Sequence, residues 1–119
     1  MRRLIWLVIL LWASAAFAAT VPLSYDEPDT TGQTNLAYTS VYWRYGNCTG
    51  RDFQGEVRTK ATDPDGGGSI AVTVRVPLRA DLLPVNVCFC VSSTDIDYDE
   101  SACSTTATTG SNPITFSAP

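Results

Sequence analysis

A chain of 119 residues with twelve acidic side chains against eight basic ones, formal charge -4, suits neither nucleic acid nor an anionic membrane surface. It contains no histidine, so it lacks the base of Ser/His/Asp and Cys/His catalysis and the imidazole ligand of a Cys/His zinc site. The length allows one domain with a modest core.

The chain opens with MRRLIWLVILLWASAAFA, in which Arg2 and Arg3 precede an apolar run from Leu4 to Trp12, and Ala16 and Ala18 flank Phe17. This is the pattern of a secretory signal peptide spanning residues 1–18. Its apolar run is short against the roughly 20 residues of a membrane span. Cleavage after Ala18 would leave one domain, 19–119, with six basic and twelve acidic residues and a formal charge of -6. The expected location is secreted or periplasmic. Four cysteines in so small a secreted chain are expected to form two disulfides, because the compartment is oxidising and a small core gains from cross-links.

In the mature chain, Val21, Leu23 and Tyr25 alternate with Thr20, Pro22 and Ser24, which predicts a first strand with Pro22 on an open edge. Asp26 to Gln33 reads as a loop. Val41, Trp43 and Tyr45 share one face of the next strand, and Tyr42 and Arg44 face outward on the other. Phe53, Val57 and Ala61 then line one side of an edge strand, opposite Gln54, Glu56, Arg58 and Lys60. DPDGGGS, Asp63 to Ser69, is the strongest turn signal. After it Ile70, Val72, Val74, Val76 and Leu78 alternate cleanly with outward residues. In VNVCFCVSS, Val85, Val87, Phe89 and Val91 face the core and place Cys88 and Cys90 on the opposite face. An acidic turn leads to a second arm opening at Ala102 with Cys103. No stretch of ten residues has helical periodicity. Six or seven short strands with regularly spaced turns predict an all-β, antiparallel β-sandwich.

LSYDEPDTTG (Leu23 to Gly32), SVYWRYG and CFCVSSTDIDYDESACS together resemble the second, third, and sixth to seventh strands of a bacterial secreted fibronectin type III domain, an immunoglobulin-like sandwich. The resemblance covers most of the mature chain and departs from the family in three ways. The corner tyrosine falls at Val87, so a disulfide is the candidate to fix that crossing. The first strand is missing. The C-terminal extension, 110–119, holds an alternating segment at Ile114 and Phe116, which could replace the missing strand beside LSYDEP or pair with another subunit. The resembled topology implies the pairings Cys48–Cys88 and Cys90–Cys103 on the outside of one sheet.

The same topology would gather Asp26, Glu27 and Asp29 with Asp95, Asp97, Asp99 and Glu100 at one acidic pole, from which Tyr98 projects. These acids read as a solvated binding surface. The spacing Asp95, Asp97, Asp99 would suit calcium, though the glycine and distal glutamate of an EF-hand loop are lacking. Asn47-Cys48-Thr49 is formally a glycosylation sequon. The expected function is noncatalytic: a secreted binding or adhesion module recognising a protein or glycan through the acidic pole. The alternatives are a structural subunit assembling by donating its C-terminal strand and a calcium-dependent adhesion module.

Overall fold

The computed structural model describes residues 16–49, 52–106 and 112–117. The predicted leader lies outside them except for its last three residues. The architecture is an all-β sandwich, with six strands among the described residues: β1 (Ala16–Asp26), β2 (Leu36–Tyr45), β3 (Gly55–Lys60), β4 (Ser69–Arg79), β5 (Val85–Asp95) and β6 (Ile114–Phe116). One antiparallel sheet is β1-β4, and the other is ordered β3-β2-β5-β6. A short 3-10 turn, Ala80–Leu82, lies in the crossing from β4 to β5.

Alternation decides which side chains meet between the sheets. Val21, Leu23 and Tyr25 from β1 and Ile70, Val74, Val76 and Leu78 from β4 pack on Val41 and Trp43 of β2 and Val87, Phe89 and Val91 of β5. Each such apolar side chain contributes about 1.5–3 kcal/mol when fully buried. The ring of Trp43 lies over Gly55, its partner in the β2–β3 register, where any Cβ would collide with the indole. Two tyrosines link the sheets. The Tyr25 hydroxyl is 2.8 Å from Thr39 Oγ1 near one end, and the Tyr45 hydroxyl donates to the Pro77 carbonyl near the other.

Three expectations are corrected here. β3 starts at Gly55, so Phe53 precedes the strand; it stacks on Tyr42, with ring centroids 5.0 Å apart, while Val57 packs against the core. The C-terminal segment does form a strand within the chain, but it pairs with β5 through Val85↔Phe116 and Val87↔Ile114. It therefore lies in the four-stranded sheet and does not replace a strand beside Leu23. The third concerns the crossing into β5, where the bond between sheets is the Tyr45 hydroxyl; both disulfides lie within the four-stranded sheet and its loops.

The cover on the outer edge of β5 is assembled in pieces. Ser101 N–H donates to the Ser93 carbonyl, and Val91 and Ser104 exchange two backbone hydrogen bonds of 2.9 and 2.8 Å. At Phe89 a side chain replaces the strand. Asn112 Oδ1 accepts from the Phe89 N–H at 3.0 Å, and its Nδ2 donates to the Phe89 and Thr105 carbonyls, both at 2.7 Å. β6 continues the ladder past that point. The reason is general: buried N–H and C=O groups must be paired, and an amide side chain has both halves of a peptide.

Candidate functional site

Two neighbouring surfaces carry the polar and aromatic residues singled out in the sequence. The first is the outer face of the four-stranded sheet. Cys48 is bonded to Cys88 and Cys90 to Cys103, which is the connectivity the resemblance implied. Cys88 and Cys90 stand two residues apart on one face of β5. One disulfide thus ties down the β2–β3 loop and the other the segment after the Asp95 hairpin. Between these two walls lies an open groove of about 540 Å³ whose lining includes Tyr42, Arg44, Phe53, Ser92, Glu100 and Thr105.

At one end of the groove, Glu100 Oε2 accepts hydrogen bonds from the Tyr42 hydroxyl at 2.7 Å and Ser92 Oγ at 2.6 Å. Those two bonds hold the Glu100 carboxyl below its ordinary range, with a smaller pull from the Arg58 charge. Burial, and then the Glu100 partner, push the Tyr42 phenol up, so it remains a donor at neutral pH. At the other end the largely buried Arg44 guanidinium organises the β2–β3 loop. It donates to Asp52 Oδ1 through Nε at 3.0 Å and Nη2 at 2.6 Å, and through Nη1 to the backbone and side-chain oxygens of Asn47. The Arg44 hydrogen bonds hold the Asp52 carboxyl down. Asn47, the sequon residue, is fixed in the same network, with its Oδ1 also accepting from Thr49 Oγ1 at 2.7 Å.

The second surface is the acidic pole, where β1 and β5 end and β4 begins. The turn Asp63–Ser69 packs on the loop after β1: Thr30 N–H donates to the Asp65 carbonyl, and Leu36 N–H to the Pro64 carbonyl. Gly66 is needed there, because it has φ +70 and a Cβ would strike the Pro28 carbonyl. This adds Asp63 and Asp65 to the pole, two acids that their composition marked only as turn formers. A shallower groove of about 360 Å³ brings Asp29, Asp95, Asp99 and Glu100 to its rim. Glu100 and Ser101 line both grooves, so the two surfaces are continuous.

Within the pole the predicted residues have different roles. Glu27 is not part of the exposed acidic surface: it is 4 % exposed, and its carboxylate accepts from Thr62 N–H at 3.0 Å, Thr62 Oγ1 at 2.5 Å and Gly68 N–H at 3.0 Å. It knots three chain segments together. Asp26 is exposed and accepts from Ser69 Oγ, and Asp29 accepts from Thr31 N–H and Oγ1, which lower its carboxyl. Asp95 Oδ1 accepts the backbone N–H groups of Asp97 and Asp99 at 2.9 and 3.0 Å, shaping the hairpin tip. Tyr98 sits there at φ 68 and is 83 % exposed, beside Ile96 at 56 %. Ile96 was not singled out in the sequence, although an isoleucine between aspartates at a turn was the available signal.

No group of three or more His, Cys, Asp or Glu residues among the described residues is arranged to hold a metal ion. At Asp95, Asp97 and Asp99, whose spacing would suit calcium, Asp95 Oδ1 is engaged in fixing the backbone of the tip. No helix among the described residues is long and apolar enough to cross a membrane. No family model matches the chain, and neither does any curated protein or solved structure.

Proposed function

We propose that this chain is a secreted, noncatalytic binding module of fibronectin type III-like architecture that recognises a basic protein surface through its acidic pole. The observation that carries the reading is the hairpin tip, where exposed Tyr98 and Ile96 stand among Asp95, Asp97 and Asp99. An aromatic and an aliphatic side chain provide apolar anchors, and the surrounding carboxylates add complementarity to Lys and Arg on a partner. The tip is pre-shaped by the Asp95 hydrogen bonds, which reduces the ordering cost on association. Two disulfides fit an oxidising compartment outside the cytosol, in keeping with the N-terminal signal pattern.

Assembly by strand donation has less support, because Ile114–Phe116 is already paired with β5 within the chain. Selection of a displayed peptide library against the mature protein tests the proposal. Enrichment should favour Lys- and Arg-rich peptides, their binding should weaken steeply with salt, and Tyr98→Ala should reduce it at least about tenfold. Selected peptides without basic character, or binding indifferent to both salt and Tyr98→Ala, would overturn it.

A further inference from the structure

We infer that the groove on the outer face of the four-stranded sheet is a glycan-binding site, adjoining the acidic pole at Glu100 but distinct from the Tyr98 hairpin tip, that accepts a short oligosaccharide against Tyr42, Phe53 and Glu100. The groove's volume, about 540 Å³, lies within the usual range for small-ligand sites and admits about two or three sugar rings. Its chemistry has the two elements a pyranose requires. Phe53 stacks on Tyr42 and is 38 % exposed, so the pair presents aromatic surface for the apolar C–H face of a sugar ring. Glu100 supplies the polar element. Its Oε2 is held by Tyr42 and Ser92, which leaves Oε1 with no hydrogen-bond partner among the described residues and able to accept from ring hydroxyls.

The backbone argues for a sugar over a peptide. An extended peptide gains affinity by adding to an open strand edge, and the groove floor offers none. β2 is flanked by β3 and β5; β5 is flanked by β2 on one side and by Ser104, the Asn112 side chain and β6 on the other. Main-chain donors and acceptors on the floor are thus already used, and recognition must go through side chains. The walls are also fixed in advance, since the disulfides to Cys88 and Cys90 anchor both to one strand. A rigid trough with aromatic and carboxylate groups facing a hydroxyl-rich ligand loses little entropy on binding.

The test is titration of the mature, oxidised protein with cello-, chito-, xylo- and manno-oligosaccharides of two to four units, followed by NMR and calorimetry. The expected result is that at least one series binds and shifts the ring resonances of Tyr42 and Phe53 while leaving Tyr98 unmoved. Phe53→Ala should weaken that binding about tenfold, and Glu100→Gln should weaken it as well. Tyr98→Ala, the substitution that disables the pole, should leave it unchanged, so the failure of either proposal can be seen without the other. Phe53 lies outside the core and every strand, and an unchanged far-ultraviolet spectrum and thermal midpoint would confirm that its variant folds. Absence of binding across the panel, or equal binding by wild type and folded Phe53→Ala, overturns the inference. Capture of peptides that is lost with Phe53→Ala would also overturn it, in favour of a peptide groove.

Discussion

The two sheets of this small sandwich are held in different ways, and the difference explains where a polar groove can exist. The β1–β4 sheet keeps its place by burial: Val74 and Val76 are fully enclosed, and Glu27 locks the chain where β1 ends to the turn that starts β4. The β3-β2-β5-β6 sheet buries Val41, Phe89 and Val87 on its inner side and carries both disulfides on its outer side. Covalent bracing there takes over what a second apolar layer would otherwise do. Hydroxyls, a carboxylate and a guanidinium can then sit on the outer face without costing the sheet its order.

The strongest way to break the contrast is to remove the bracing. In the chain-entropy model the 40-residue separation of Cys48–Cys88 is worth about 4 kcal/mol and the 13-residue separation of Cys90–Cys103 about 3 kcal/mol. Together they approach the whole margin of a domain whose net stability is about 5–15 kcal/mol. Denaturant titration with and without reductant should therefore show a large loss for the reduced protein. Each Cys-pair replacement by alanine should lose its own share, the Cys48–Cys88 pair more.

A smaller effect tests the other sheet. Glu27→Ala removes a carboxylate that accepts three hydrogen bonds and strands the Thr62 and Gly68 N–H groups, a loss of about 2–4 kcal/mol. The same titration would read it. If Glu27→Ala proved neutral, the two-stranded sheet would be held by its valines alone. Next in size is Asn112→Asp, which keeps the side-chain shape but replaces the donor that faces the Phe89 and Thr105 carbonyls with an acceptor. The expected loss is about 1–3 kcal/mol, and amide exchange at Val87 should quicken as β6 loosens.

The smallest effect is a pH dependence at Glu100. Its carboxyl is lowered in the folded protein chiefly by Ser92 and Tyr42, so the proton is bound more readily after unfolding. The stabilisation is then complete above the unfolded value of about 4.3 and is lost as pH falls through the lower folded value. Comparing unfolding midpoints of wild type and Glu100→Gln should show a gap at neutral pH that narrows on acidification.

The parts legible in the sequence are those set by local alternation. Val21 to Tyr25, Ile70 to Leu78 and Val85 to Val91 face as their period of two requires. Glu27 was legible in the same way, being in phase with Val21, Leu23 and Tyr25, but the turn-forming residues around it gave the stronger signal. Composition placed it in a loop, whereas phase carried it inward. Phe53 was misplaced for the opposite reason. Its phase with Val57 suggested a continuous strand, but the chain enters β3 only at Gly55, where Trp43 requires a residue without a side chain. The position of β6 and the role of Asn112 depend on contacts 23 to 31 residues apart along the chain, and no local pattern encodes them. Both grooves share that origin, since they form between loops that meet only after the sheets have paired.

The Asn112 clamp has one more consequence. Its amide bonds directly to the Thr105 carbonyl, so the two ends of the intervening segment are fastened to each other and to β5. Because closing a loop grows only slowly more costly with length, at about 0.6 kcal/mol per doubling, this segment is a natural grafting position. A foreign epitope or reporter peptide inserted between Thr105 and Asn112 would leave both fastened ends, and with them the register of β6 on β5, as they are.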